Sequence, residues 1–139
     1  MRRHRIAARS LLVALATVAI AGCSGPTSPD AAAGTPFDLQ VGATATLSNG
    51  FRIRFERIRS DSRCPLDVVC VRAGEAVIDV SLAASQGSVE VRQMRTDAAG
   101  SRIEYADHTI ELTGLAPYPR STQQIDPRDY LATFIVTRP

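Results

Sequence analysis

Apolar and polar side chains alternate along several stretches of this 139-residue chain. Phe51, Ile53 and Phe55 alternate with charged residues, and the segment from Ala76 to Leu82 has the same period of two. Because successive side chains of a strand point to opposite faces, this pattern is typical of half-buried strands. Similar runs cover residues 89–94, 109–115 and 130–137, the last apolar on both faces as in a central strand. No window of eleven or more residues after residue 22 has a convincing helical period, so the sequence predicts an all-β fold.

Turn-forming pairs separate these runs, among them Asn49-Gly50, Gln86-Gly87 and Ala99-Gly100. An Asn-Gly pair favours a tight hairpin turn. Strands at this spacing predict a small antiparallel β-sandwich or barrel of about 6–8 strands. The alternation slips between Phe55 and Ile58, which predicts a bulge or a strand end there.

Seven apolar residues of these runs are expected to pack between two sheet faces: Phe51, Ile53, Phe55, Ile78, Val80, Leu82 and Phe134. The segment Asp126-x-x-x-Tyr130-x-Ala132 partly resembles the tyrosine corner of immunoglobulin-like sandwiches. That resemblance implies that Tyr130 lies at the margin of the core and that its hydroxyl bonds to the backbone.

The N-terminal segment has the composition of an export signal. Four arginines precede an uncharged apolar run from Leu11 to Ile20, which is shorter than the about 20 residues that span a bilayer. We therefore expect residues 1–22 to be a cleaved signal peptide. The following tetrad, Ile20-Ala21-Gly22-Cys23, resembles the lipobox of bacterial lipoproteins. The resemblance implies that Cys23 carries lipid, with fatty acids such as palmitate, although an ordinary secretory signal with an incidental cysteine is the alternative.

Lipid on Cys23 places the protein in the cell envelope, with the membrane as its first partner. In a Gram-negative cell Ser24 is compatible with delivery to the outer membrane, and otherwise the protein sits on the outer face of the cell membrane. Residues 23–36 are rich in Gly, Pro, Ser, Thr and Ala, and we expect the lipidated cysteine to be followed there by a flexible linker. Residues 37–139 then form one β-sandwich domain.

The charge of the mature chain argues against a nucleic-acid partner. The four signal arginines leave twelve arginines against fourteen acidic residues, a net charge of 12 − 14 = −2. Nucleic-acid binding needs clustered positive charge on the folded domain.

Two cysteines remain after Cys23 is assigned to lipid. In an oxidising compartment Cys64 and Cys70 are expected to form a disulfide that closes a short loop. The alternatives are a metal site, which needs more Cys or His ligands than His108 provides, and a redox pair, which is usually Cys-x-x-Cys.

The same segment resembles a family of small uncharacterised bacterial secreted proteins and lipoproteins. Its members share D-S-R-C-P, about five further residues and C-x-W-A-G before a strand, matched here by Asp61 to Pro65, by Cys70 and by Ala73-Gly74. The resemblance extends over residues 37–138 and implies a fold and a compartment but no activity. This chain has Arg72 where the family commonly has Trp.

Catalytic patterns are sparse. His108 begins an alternating strand, which favours a structural, partly exposed or hydrogen-bonded histidine over a general base. Asp107 and Glu111 fall on the strand face opposite to His108 and do not make a metal triad with it. We therefore expect no enzyme activity, no catalytic residue, no metal and no cofactor.

Two surfaces are candidates for binding a partner. One is a group of six arginines that is suited to an envelope protein or an anionic envelope polymer: Arg52, Arg54, Arg57 and Arg59, with Arg63 and Arg72 near them in sequence. The alternative is an edge strand whose charges discourage aggregation. The proline-rich segment 115–128 would present Tyr118 and Arg120 to a partner, or else serve as a stiff crossover between sheets.

The sequence thus predicts a lipid-anchored, non-catalytic binding or envelope-structural module. A protease inhibitor that offers residues 117–121 or the loop at Arg63 to a target enzyme is the second hypothesis, and an envelope hydrolase is the third.

Overall fold

The computed structural model describes residues 30–139, so the predicted signal peptide and Cys23 lie outside the described residues. The described chain folds into strands that are joined by turns and loops. They are β1 (Asp30–Ala31), β2 (Phe37–Gln40), β3 (Thr44–Leu47), β4 (Arg52–Asp61), β5 (Ala76–Ala83), β6 (Glu90–Arg95), β7 (Arg102–Tyr105), β8 (His108–Ala116) and β9 (Leu131–Thr137). A single 3-10 turn, Pro127–Asp129, precedes β9. Among these residues no helix is long and apolar enough to cross a membrane.

The strands form two sheets that enclose one core. The five-stranded sheet has the order β1-β3-β4-β5-β6, and the four-stranded sheet has the order β2-β9-β8-β7. Neighbouring strands are antiparallel except for the short β1, which runs parallel to β3. The prediction of a small all-β sandwich is confirmed.

The predicted core is also confirmed. All seven residues that the alternation placed inside are buried, and Phe134 has no exposed surface. Phe134 lies between the sheets, with its ring centre 6.2 Å from that of Phe37 and 6.5 Å from that of Phe55. Leu39, Met94 and Ile110 extend the core along its length.

The Asn49-Gly50 pair forms the predicted hairpin turn between β3 and β4. The amide of Gly50 donates to the carbonyl of Leu47, and the amide of Leu47 donates to the carbonyl of Phe51. Gly50 has a φ of 82°, a left-handed conformation that glycine adopts without a steric cost. The predicted irregularity of β4 is present too, since its register to β5 shifts after Phe55 and again after Ile58.

Three features differ from the sequence-based expectation. The short strands β2, β3 and β7 lack enough alternating residues to be recognised. The segment expected to be a linker includes β1, where Ala31 is buried against the core, and the amide of Gly34 bonds to Val136. Finally, β4 lies between β3 and β5, so its arginines do not protect a sheet edge as the alternative reading supposed.

Candidate functional site: the disulfide loop

The loop between β4 and β5 lies at one end of the sandwich and contains the predicted disulfide. Cys64 and Cys70 are bonded, with their Cα atoms 5.9 Å apart, which confirms the predicted pairing. At its base the loop continues the antiparallel pairing of the two strands. The amide of Ser62 donates to Glu75 and the amide of Cys64 donates to Ala73, at 2.8 and 2.9 Å.

A buried ion pair anchors this base to the domain. Arg63 donates from Nε to Oδ1 of Asp61 at 2.9 Å and from a terminal nitrogen to Oδ2 at 2.6 Å. Only 5% of the Arg63 side chain and 9% of the Asp61 side chain are exposed. Tyr130 donates its hydroxyl to Oδ2 of Asp61 at 2.9 Å. The carboxylate therefore receives hydrogen bonds from residues of two different segments.

The pKa values of this cluster follow from its burial and its hydrogen bonds. Burial alone would raise the pKa of Asp61, but the hydrogen bonds from Arg63 and Tyr130 outweigh it and leave that pKa below its usual range. Burial and the neighbouring Asp61 carboxylate raise the pKa of Tyr130 to about 12. At neutral pH the site thus holds a carboxylate, a guanidinium and a neutral phenol.

Arg63 also joins the disulfide loop to the proline-rich segment. Its guanidinium donates to the carbonyl oxygens of Leu115 and Pro117 at 2.6 and 2.9 Å, and it lies 4.8 Å from the centre of the Tyr118 ring. Two sequence-based expectations are therefore wrong. Arg63 is buried and does not form part of an open binding surface, because its guanidinium group is hydrogen-bonded to Asp61 and to two carbonyl oxygens of the proline-rich segment. The hydroxyl of Tyr130 bonds to a side chain and not to the backbone.

Two further contacts hold the outer part of the loop. The amide of Leu66 donates to the carbonyl of Pro119 at 3.0 Å. Asp67 accepts hydrogen bonds from the amide and the hydroxyl of Ser121 at 2.8 and 2.6 Å. The segment 117–121 thus packs against the disulfide loop and holds it by hydrogen bonds. Tyr118 is still 46% exposed, and Arg120 is exposed as well.

The end of the loop exposes aliphatic side chains to solvent. Val69 and Val71 are fully exposed, Leu66 is 62% exposed and Val68 is 43% exposed. We refer to these four residues as the apolar tip. Arg72 follows them and is exposed as well. Exposed apolar patches on a folded domain mark interaction sites when they are large, whereas single exposed apolar residues are ordinary. Four exposed aliphatic residues within one short loop make the tip a candidate for such a site.

An open cleft of about 560 Å³ lies beside the base of the loop. Its lining includes Arg63, Gly74, Asp97 and Leu115. Arg63 directs its hydrogen bonds at Asp61 and two carbonyl groups, and Asp97 pairs with Arg95 at 3.2 Å. The two charged side chains of its lining are therefore already paired within the domain.

The remaining candidate arginines lie elsewhere. Arg52 and Arg54 are exposed on the outer face of the five-stranded sheet, and Arg54 pairs with Glu56 at 3.3 Å. Because β4 runs from Arg52 to Asp61, these arginines are separated from the disulfide loop by most of the strand. The structure thus divides the predicted interaction residues into two surfaces.

His108 lies in the core at the opposite end of the sandwich from the disulfide loop. Its ring stacks on that of Phe51, with the ring centres 4.3 Å apart. Nε2 accepts a hydrogen bond from the side-chain amide nitrogen of Asn49 at 2.8 Å. The amide is held in this orientation because its oxygen accepts from the Phe51 N–H. Nδ1 lies 2.8 Å from Asp107, in a direction that does not give a hydrogen bond. These contacts are structural, and they seat the hairpin turn between β3 and β4.

The described residues contain no group of three His, Cys, Asp or Glu side chains that is suited to a metal ion. Comparison of the chain with family models, curated proteins and solved structures found no match.

Sequence reasoning missed the most informative parts of the site. Asp67 and Ser121 were not singled out, because the hydrogen bonds between them join segments 54 residues apart. Asp61 was named only as part of the motif, because its bond to Tyr130 joins residues 69 positions apart. The apolar tip had a signal in the sequence, since Val68-Val69-Cys70-Val71 is a run of apolar residues inside a short disulfide loop. Such a run cannot be buried by the loop that contains it.

Proposed function

We propose that this chain is a lipid-anchored binding domain of the cell envelope that has no catalytic role and that engages a protein partner through the apolar tip. The anchoring rests on the lipobox that ends at Cys23. The observation that carries the binding role is that Val69 and Val71 are fully exposed on a loop closed by a disulfide and tied to a second loop.

The rigidity of the tip supports a binding role. Binding costs free energy when a flexible loop must be ordered, at about 0.5–1.5 kcal/mol for each immobilised side chain. Here the disulfide, the Leu66–Pro119 hydrogen bond and the Asp67–Ser121 pair hold the loop before any partner arrives. Valine side chains also lose little rotamer freedom. A preformed aliphatic surface fits an apolar pocket on another protein.

The position of the tip supports the same role. Strand β1 lies beside β3, and its pairing places Asp30 level with Thr46 and Arg52 across the sheet. The disulfide loop begins at the far end of β4, nine residues beyond Arg52, or about 30 Å at 3.3 Å per residue. A linker that joins the domain at Asp30 therefore leaves the tip unobstructed.

Site-specific crosslinking in intact cells tests this proposal. A photoreactive residue at Val69 or Val71 is expected to capture the same protein, and one at exposed Glu104 on β7 is not expected to capture it. The double variant Val69→Asp, Val71→Asp should abolish the adduct formed through a photoreactive residue at Leu66. Ser85→Asp with Gln86→Asp, which adds the same charge to an exposed turn at the other end, should leave it intact. Equal capture from residues 69 and 104, or adducts to lipid alone, would show that the tip does not bind a protein.

A protease inhibitor is the second candidate, and one observation favours it. The backbone amides of residues 69–72 make no backbone hydrogen bond within residues 30–139, so they are free to pair with the substrate cleft of an enzyme. Inhibitors must present such a segment rigidly. The hypothesis that the disulfide loop at Arg63 is offered to a target enzyme requires exposed contact residues in that loop. Arg63 itself is buried, so the contact would have to be made by Val69, Val71 or Arg72.

Titration of serine peptidases that prefer aliphatic or arginine substrates separates the two candidates. An inhibitor gives stoichiometric loss of activity that Val69→Asp abolishes and Ser85→Asp does not. Cleavage of the loop without inhibition, or no effect on either enzyme class, leaves the protein-docking role as the better account.

A further inference from the structure

The outer face of the five-stranded sheet carries a row of four exposed arginines on its second inner strand. They are Arg52, Arg54, Arg57 and Arg59 on β4, and we refer to them as the arginine ridge. The only acidic side chains on the same face of β4 and β5 are Glu56 and Asp79, so the local charge is 4 − 2 = +2. The mature chain as a whole has a net charge of 12 − 14 = −2. The ridge is therefore a positive face on a negative domain.

A buried carboxylate holds two of these arginines in place. Asp79 is 1% exposed, and its two oxygens accept hydrogen bonds from Nε of Arg57 and Nε of Arg59, both at 2.8 Å. One arginine would neutralise this carboxylate, so the second is surplus charge. The terminal nitrogens of both guanidinium groups make no hydrogen bond within residues 30–139, and the two side chains are 63% and 48% exposed. The carboxylate thus orients two guanidinium groups whose outer edges remain free for an anion.

Aliphatic side chains accompany the arginines on this face. Val91 pairs with Ser81 in the register of β5 and β6 and is 60% exposed, and Val89 just before β6 is 64% exposed. One shallow groove of about 230 Å³ has Arg52, Arg54 and Val89 in its lining. A second groove of about 360 Å³ is lined by Glu56, Arg57, Asp79 and Val91. Cationic and apolar side chains mixed on one face are typical of surfaces that lie at the boundary between headgroups and acyl chains.

The linker ends within reach of this face. Asp30, Thr46 and Arg52 are in register across β1, β3 and β4, so the start of the described chain lies two strand spacings, or about 10 Å, from the ridge. Seven peptide steps separate Cys23 from Asp30, which limits their separation to about 25 Å. A lipid on Cys23 therefore keeps the membrane surface close to the arginine ridge.

We propose that the outer face of the five-stranded sheet is a membrane-contact surface, on which the arginine ridge binds the phosphate groups of anionic lipids and Val89 and Val91 contact the headgroup boundary. This inference rests on the lipid anchor of the proposed function, because the short linker is what selects a membrane as the source of the phosphate. With the sheet face on the membrane, the apolar tip lies to the side and stays open to a protein.

Vesicle binding by the unlipidated chain from Ser24 to Pro139 tests the surface directly. This chain contains every strand that the structure describes in residues 30–139. It should partition onto phosphatidylcholine vesicles that contain phosphatidylglycerol and not onto phosphatidylcholine alone. Binding should weaken with salt, because exposed charges are screened beyond about 10 Å at 0.1 M ionic strength.

Substitutions on the ridge give the quantitative test. Each arginine near an anionic surface contributes about a fivefold increase in partition, so Arg52→Gln with Arg54→Gln should weaken binding about 25-fold. This pair does not contact Asp79, so its loss leaves no buried carboxylate unpaired. Arg57→Gln, Arg59→Gln and Asp79→Asn together should also weaken it, as should Val91→Asp. Arg102→Gln with Arg128→Gln removes the same charge outside this sheet and should change little.

The outcomes separate this inference from the proposed function. If the ridge pair and the control pair of substitutions weaken vesicle binding equally, the effect depends only on net charge and the proposed site is wrong. If the domain binds soluble polyphosphate but not the vesicles, the ridge binds phosphate groups that do not come from a membrane, and the membrane-contact proposal is wrong. Absence of vesicle binding while Cys23→Ser still releases the native protein from membranes would leave the anchor standing and reject the ridge.

Discussion

The pairs Asp61–Arg63 and Asp126–Arg128 have nearly the same local geometry, but the first is buried and the second is exposed. Removing each aspartate in turn therefore measures how burial changes the contribution of such a pair to the free energy of unfolding. In both pairs the aspartate accepts from the amide, the Nε and a terminal nitrogen of the arginine two residues later. The Arg63 side chain is 5% exposed, whereas that of Arg128 is 87% exposed. Asp61→Ala should therefore destabilise the domain far more than Asp126→Ala.

The magnitudes follow from the partners that remain. Without Asp61, the guanidinium of Arg63 keeps only the two carbonyl oxygens of Leu115 and Pro117, and Tyr130 loses its acceptor. An uncompensated buried charge of this kind costs about 3–5 kcal/mol. Asp126→Ala removes a solvent-screened surface pair and the cap of a 3-10 turn, so its cost should be much smaller than that of Asp61→Ala.

Urea unfolding at pH 7, followed by circular dichroism, measures both costs. For a slope of about 2 kcal/mol/M, a loss of 4 kcal/mol lowers the midpoint for Asp61→Ala by about 2 M. The midpoint for Asp126→Ala should move by less than about 0.5 M. Similar shifts for the two variants would refute the claim that the Asp61–Arg63 pair is buried and structurally required.

Four other predictions follow from the same contacts. Stability should fall as pH decreases below about 4, because hydrogen bonds from arginine side chains outweigh burial and hold the pKa values of Asp61 and Asp79 below their usual range in the folded state, so that protonation favours unfolding. Urea midpoints at several pH values test this, and a midpoint that is unchanged at pH 3 would contradict it. Phe134→Ala should cost about 3–5 kcal/mol and His108→Ala about 1–3 kcal/mol, with binding by the apolar tip retained in the histidine variant; loss of binding in folded His108→Ala would reveal a site there. Reduction of the Cys64–Cys70 disulfide should cost about 2 kcal/mol and release no zinc, as measured by unfolding and metal analysis. Cys23→Ser should move the protein from the membrane fraction to the soluble fraction or block its processing, and unchanged retention would exclude the lipid anchor.

The fold class could be predicted from the sequence because a half-buried strand shows alternating apolar and polar residues within its own segment. Phe51, Ile53 and Phe55 alternate with arginines in the strand itself, so their direction can be read without knowing their partners. The short strands β2 and β7 have four residues each, too few for a period of two to stand out from chance.

The candidate site could not be read in the same way, because its contacts are long-range. Asp61 and Tyr130 are 69 residues apart, and nothing in either neighbourhood indicates the other. Arg63 looked like a surface residue because arginine is usually exposed, and its burial depends on a carboxylate and two carbonyl groups from another loop. The disulfide was predictable because its two cysteines lie six residues apart and the export signal expected from the sequence favours disulfide formation.

The motif that carries the family resemblance has a structural explanation at nearly every position. Asp61 and Arg63 form the buried pair, and the Ser62 hydroxyl exchanges hydrogen bonds with the backbone of Glu75. Gly74 has a φ of 66°, and a Cβ atom there would collide with the carbonyl oxygen of Ser62, so no other residue fits without a shift of the backbone.

These positions build the loop but do not face a partner. Val69 and Val71 fall at positions that the motif leaves open, and Arg72 stands where the family that the sequence resembles commonly has Trp. All three residues are exposed. A loop that is held by these buried contacts allows the exposed side chains of its tip to be changed without disturbing the fold. If specificity resides in the tip, replacing Val69, Val71 and Arg72 together by alanine should abolish capture of the partner without changing the free energy of unfolding by more than about 1 kcal/mol, because all three side chains are exposed.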